Sequence, residues 1–196
     1  MINSVDVTCV PAVTMALVKD VMACAPSGVL WLASLLLLSA WTHACPHPCK
    51  CAGTTVDCSE LDLGTIPDDI PRNTTELFLC GNKLTSIPSG GFSGLANLTV
   101  LYLDRNQITN EGLPRNAFQG LRSLKELHLT SNSLTAVPLG QLKAVRRELV
   151  FLDLSENSIL QIPTGAFSSL RRLRELKLRK TGLQQVLPES FSGMDR

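Results

Sequence analysis

Apolar and polar residues alternate with a period of two in five short stretches of the chain. These are TTELFLCGNKL (74–84), LTVLYLDRNQI (98–108), LKELHLTSNSL (124–134), LVFLDLSENSI (149–159) and LRELKLRKTGL (173–183). Such alternation is a strand period: both leucines of each L-x-L core face one side and the residue between them faces the other. All five follow one pattern, L-x-x-L-x-L-x-x-N-x-L, and start 24, 26, 25 and 24 residues apart. A second motif follows the strands, in IPSGGFSGLANL, LPRNAFQGLRSL and IPTGAFSSLRRL. Its Phe92, Phe118 and Phe167 are expected to fill a core beneath an irregular outer wall. One repeat cannot bury its own apolar side, so the copies are predicted to stack into a curved solenoid with a parallel sheet inside the curve. The asparagine column (Asn82, Asn106, Asn132 and Asn157, with Thr181 in the fifth copy) reads as structure. A side-chain amide there can satisfy backbone groups where the chain turns out of the strand.

The pattern and its period resemble the leucine-rich repeat. That resemblance implies an α/β solenoid with a curved parallel sheet on the concave side and an irregular or short-helical convex wall. The domain reading is a signal peptide over 1–44, a cysteine-rich N-terminal cap over 45–73, and five repeats over 74–196. The last repeat is read as truncated at SFSGMDR, with no C-terminal cap. At 196 residues the chain suits a single domain with a substantial core.

The first 44 residues differ from the rest. GVLWLASLLLLSAW (28–41) has the length of a signal-peptide core, short for a bilayer span, and THA (42–44) follows as a small-residue cleavage site. An uncleaved signal anchor is the rival reading. The stretch before the apolar run is long and only Lys19 is basic, so Met15 and Met22 are alternative starts. Secretion sets the redox context, because disulfides persist outside the cell. Cys45, Cys49, Cys51 and Cys58 form a C-x3-C-x-C-x6-C cluster, CPHPCKCAGTTVDC, read as two disulfides; a zinc site is the alternative in a cytosolic protein. VDC (56–58) is predicted as an edge strand and LDLGTIPDDIP (61–71) as a degenerate repeat. With Cys9 and Cys24 leaving with the signal, five cysteines remain, an odd number. Cys80 is then expected as a free thiol. It is either a small buried hydrophobe or a partly exposed group able to form a disulfide-linked dimer or an adduct with a small thiol.

The cap followed by these repeats resembles the extracellular leucine-rich-repeat proteins over residues 45–196, and above all the small leucine-rich proteoglycans. The cysteine spacing looks like that of the decorin and biglycan group, which implies pairing of Cys45 with Cys51 and of Cys49 with Cys58. ITNEGLPRNAFQGLRSLKELHLTSNSLTAVP (108–138) is similar to podocan, and AGTTVDC (52–58) to the caps of Slit proteins and lamprey variable lymphocyte receptors. The segment 137–154 is longer than the short podocan connection. Ser89-Gly90 and Ser93-Gly94 lack the acidic run of a glycosaminoglycan attachment site.

Candidate chemistry lies in the strand residues outside the leucine columns, which face the concave side. Phe78, Val100, Tyr102, His128, Phe151 and Asp153 make up the candidate binding face. Aromatics at mid-strand suit interface anchors, and packing against the cap edge is the plainer account. Arg174, Lys177, Arg179 and Lys180 crowd the last strand, as a solvated face or as a site for a sulfated glycan or acidic protein. Asn73 and Asn97 open N-x-T sequons on neighbouring turns. Charge is uneven: Cys45 to Glu111 holds 4 basic and 8 acidic side chains, and Gly112 to Arg196 holds 13 and 7. A net charge of +1 argues against general nucleic-acid binding. Catalysis finds little support, since His128 has no nucleophile partner and only Asp153 one repeat away, and no phosphate loop or cofactor motif occurs. The expected function is a secreted, non-enzymatic, matrix-associated binding protein without cofactors or metals. By resemblance its ligands would be collagen, a growth factor or a sulfated glycan. The alternative is the N-terminal part of a cell-surface receptor or guidance-type ectodomain.

Overall fold

The computed structural model describes residues 45–192; the expected signal segment lies outside the described residues. Strands of three residues form one sheet of seven: β1 (Lys50–Ala52), β2 (Thr55–Asp57), β3 (Glu76–Phe78), β4 (Val100–Tyr102), β5 (Glu126–His128), β6 (Phe151–Asp153) and, after the short strand β7 (Gln161–Ile162), β8 (Glu175–Lys177). Pairing from β2 onward is parallel and in register, aligning Leu77, Leu101, Leu127, Leu152 and Leu176. β1 pairs antiparallel to β2, so the outermost strand is Lys50–Ala52 and the VDC stretch sits one place in from the edge. On the convex side β7 pairs with β9 (Gln185–Val186). No helix among the described residues is long and apolar enough to cross a membrane.

Burial follows the pattern. Leu77, Leu79, Leu101, Leu103, Leu127, Leu129, Leu152 and Leu154 are fully buried, as are Phe92, Phe118 and Phe167. Phe92 and Phe118 stack at 6.4 Å between ring centroids. The longer connection after Val137 holds the one helix among the described residues, α1 (Leu139–Leu142). Leu142 and Val145 are buried there, in the wall position that phenylalanine takes in other repeats. Leu176, Leu178 and Leu183 of the last repeat are only partly buried.

The asparagine column binds each repeat to its predecessor. Asn132 donates from Nδ2 to the Leu103 and Leu129 carbonyls, and its Oδ1 accepts the Ile108 N–H. Asn106 and Asn157 repeat the arrangement one turn away on either side, each with an acceptor bond from the preceding wall segment. Thr181 reaches only the Leu178 carbonyl, so the last junction lacks this link. The residue before each asparagine lies in the left-handed region, with φ of 53° at Arg105, 53° at Ser131 and 56° at Glu156. The 26-residue spacing is accommodated by close backbone approach: the Gly112 carbonyl accepts the Ile87 N–H, and a Cβ on Gly112 would lie 2.2 Å from the Thr85 carbonyl oxygen.

In the cap, Cys45 joins Cys51 and Cys49 joins Cys58. Cys80 requires a correction. It is disulfide-bonded and wholly buried, with Sγ 3.2 Å from the Ser59 hydroxyl, rather than a free thiol. The odd count behind that expectation set Cys9 and Cys24 aside. A disulfide-linked dimer through Cys80 loses its basis with the thiol.

Candidate functional site

In-register pairing places one side chain per repeat in each concave column, at the interstrand spacing of about 4.8 Å. That distance suits stacked rings. Phe78 and Tyr102 lie 4.6 Å apart and nearly parallel, at 8°. Tyr102 and His128 are 4.2 Å apart, and His128 and Phe151 are 4.7 Å apart. The ladder changes column at its end, since Phe151 is aligned with Glu126 and the residue opposite His128 is Asp153. Lys177 closes the row, with Nζ 4.8 Å from the centre of the Phe151 ring. The structure thus brings Phe78, Tyr102, His128 and Phe151 into one continuous surface, with Val100 and Asp153 beside it. Sandwiching leaves His128 only 9% exposed, although it lies on the open side of the sheet.

Carboxylates border the ladder on both sides. Glu76 and Glu126 occupy one flanking column, and Glu76 accepts a hydrogen bond from the Thr55 hydroxyl. On the other side, Asp104 Oδ1 accepts the Thr130 N–H at 2.8 Å and Asp153 Oδ1 accepts the Ser155 N–H at 2.9 Å. Burial pushes the Asp104 carboxyl up to about 6, with Asp153 adding to the effect and Thr130 and Arg105 opposing it. Burial pulls the His128 imidazole down to about 4, partly offset by Asp153 and reinforced by Lys177. The Tyr102 hydroxyl is raised by burial and then by Glu126, Glu76 and Asp104. Three carboxylates therefore act on one tyrosine. His128 Nε2 is buried without a hydrogen bond, 3.7 Å from Glu126 Oε2.

The four basic residues of the last repeat do not form one open patch. Lys177 lies over Phe151 and within 3.5 Å of Glu175, and Lys180 pairs with Glu156 at 2.9 Å. Arg174 and Arg179 are exposed. Asn73 and Asn97 are both exposed, beside a shallow surface depression they share with Thr75, Thr99 and Lys125. Sequence reasoning did not single out Asp104, whose place in the column beside the ladder was its available signal. It also assigned Lys177 to the basic group and missed its contact with Phe151.

Comparison with known proteins agrees with this architecture. The family described as Leucine rich repeat matches residues 72–134 and 147–196, and Leucine rich repeat N-terminal domain matches 44–71. Platelet glycoprotein Ib beta chain of Mus musculus is 44% identical over 89 residues, covering 43% of each chain. Podocan-like protein 1 of Homo sapiens is 35% identical over 156 residues, covering 78% of this chain and 30% of that protein. A solved octameric complex of Latrophilin 3, Unc5D and FLRT2 contains a chain that superposes with a TM-score of 0.63 at 30% identity. That match covers 68% of this chain and 40% of the other. The chain spans less than half the length of these relatives.

Proposed function

Starting from the chain's membership of the leucine-rich-repeat family, N-terminal cap included, we propose that it is an extracellular binding protein that recognises another protein on its concave face. The observation that carries this reading is the ladder from Phe78 to Phe151, a run of stacked rings across four adjacent strands. Partly exposed aromatics in the centre of a surface supply large contact area at low entropic cost, and such anchors dominate interface energetics. The site offers no arrangement of nucleophile and base, so its chemistry is that of recognition rather than turnover. Two disulfides in the cap suit an oxidising compartment. In such a compartment at least one of the sequons at Asn73 and Asn97 carries an N-linked glycan, with crowding between the neighbouring turns limiting the second.

The family includes proteins of the podocan-like and decorin types, which supports a matrix-associated role with a collagen or growth-factor ligand. The complex of FLRT2 with Latrophilin 3 and Unc5D favours the second reading, a receptor or guidance-type ectodomain. Arg174 and Arg179 offer a small auxiliary site for a sulfated glycan. Surface plasmon resonance of the full chain, made in a secretory host, against collagens, growth factors and heparin tests the proposal. A protein ligand whose affinity falls about tenfold or more with Tyr102→Ala or Phe151→Ala is expected. A ligand indifferent to both substitutions would move recognition away from the concave face.

A further inference from the structure

The corner where each wall segment turns back into a strand changes character along the solenoid. It is made of the outward residues between two buried positions. Asn97 stands there between Leu95 and Leu98, and Asn73 just before the buried Thr74. In the third repeat the corner holds Arg122, between Leu121 and Leu124. In the fourth it holds Arg146, Arg147 and Glu148, between Val145 and Leu149, and in the fifth Arg171 and Arg172, between Leu170 and Leu173. Just beyond the corners, the Arg174 N–H donates to the Val150 carbonyl and the Val150 N–H to the Lys125 carbonyl, which aligns these three residues in one column. Seven of the thirteen basic residues after Glu111 therefore share one flank of the solenoid. Glu148 is the only acid in these corners, and Arg172 pairs with it at 2.5 Å. Arg122, Lys125, Arg146, Arg147, Arg171 and Arg174 are exposed and make no ion pair among the described residues.

We propose that this cationic flank receives an acidic segment of the partner protein, laid across the corners of the third to fifth repeats while the body of the partner covers the concave face. The inference rests on the concave-face reading above and adds the chemistry of the partner. Stacking sets neighbouring corners about 4.8 Å apart, so the three span about 10 Å, the reach of roughly three extended residues. Unpaired guanidinium groups at that spacing repel one another, and their planar forks match carboxylates, so an incoming acidic side chain relieves the first effect and gains the second. Two features favour a protein segment over a sulfated glycan chain. Glu126 and Glu175 follow Lys125 and Arg174 directly on the concave side, so a uniformly anionic polymer is repelled where it leaves the flank. A folded partner with one acidic stretch suits both signs of charge. Half-buried Val150, between Lys125 and Arg174, adds an apolar contact that a peptide side chain can use. Asn97 and Arg122 line the same depression, so a glycan on Asn97 bounds the segment at the third repeat.

The test uses fluorescence anisotropy with a labelled heptapeptide in which glutamate alternates with serine, against the same peptide with glutamine for glutamate. The full chain should bind the glutamate peptide, less tightly as salt is added, and the glutamine peptide about tenfold more weakly. Arg122→Gln combined with Arg147→Gln should lower affinity for the glutamate peptide about tenfold. Arg115→Gln combined with Lys143→Gln removes the same charge from exposed positions on the convex wall and should leave affinity within about twofold. Circular dichroism and the urea midpoint report whether each variant is folded. Equal losses in the two pairs would reduce the effect to net charge and overturn the assignment, as would a parent chain that binds no glutamate peptide. A labelled heparin hexasaccharide is the third ligand: if the flank pair weakens its binding and leaves the glutamate peptide unaffected, the flank takes a sulfated glycan and the proposal fails. A protein ligand found on the panel above separates the two readings. Loss of its binding with Tyr102→Ala but not with the flank pair overturns the acidic-segment assignment and leaves the concave face in place. Loss with the flank pair but not with Tyr102→Ala or Phe151→Ala overturns the concave-face reading instead.

Discussion

Asp104 and His128 make opposite demands on pH, and their substitution should expose a cancellation hidden in the parent chain. Burial lifts Asp104 from 3.8 to about 6, so the folded chain holds this proton more tightly than the unfolded chain does. Stability from this group falls as pH rises from about 4 to about 6, and the penalty persists above. Burial lowers His128 from 6.5 to about 4, so here the unfolded chain takes the proton first. Stability from this group rises between about 4 and about 6.5 and is lost below. Each window spans about two pH units at about 1.4 kcal/mol per unit, so each effect is worth about 3 kcal/mol, with opposite signs. Together they leave a nearly flat contribution across the interval. Asp104→Asn removes the falling term, and its stability relative to the parent should climb by about 3 kcal/mol from pH of about 4 to about 6.5. His128→Phe keeps a ring in the ladder and removes the rising term; its relative stability should fall by a similar amount. Urea unfolding followed by far-ultraviolet circular dichroism at half-unit pH steps measures both curves, and subtraction of the parent removes the other carboxylates. Two variants that track the parent, or slopes of the same sign, would refute the assignment of these two environments.

Four further outcomes are expected. Gly112→Ala drives a Cβ against the Thr85 carbonyl and should lower stability by about 1–3 kcal/mol in the same urea assay. Asn157→Asp keeps the acceptor for the Leu134 N–H but turns an anionic oxygen toward the Leu129 and Leu154 carbonyls; a loss of about 2 kcal/mol or more is expected, larger at neutral pH than in acid. Glycosidase treatment of chain made in a secretory host should lower its intact mass, with Asn73→Gln and Asn97→Gln assigning the sites; unchanged mass would remove the glycans from the account. Heparin retention should be weak, fall with salt, and drop when Arg174, Lys177, Arg179 and Lys180 are all replaced by serine, because Glu156 and Glu175 already engage two of the four.

Periodicity alone determined the repeat, its strands and its core. An L-x-L core has one way to bury both leucines, and five copies at near-constant spacing have one economical way to share that burial, by stacking. The asparagine column was legible for the same reason: Asn106, Asn132 and Asn157 occur where an outgoing chain leaves backbone groups unmatched. Side-chain contacts across repeats were not legible, because they join residues some 24 positions apart through the register and rotamers of neighbouring strands. The columns placed Phe78, Tyr102 and His128 side by side, but only packing stacked them, carried the row diagonally to Phe151 and buried an imidazole on the open face. Lys177 counted as one of four like charges in the sequence; in the fold a ring and a carboxylate claim it. Cys80 shows the same limit most sharply, since a count of cysteines carries no information about distance, and bonding depends on which sulfur atoms the fold brings into reach.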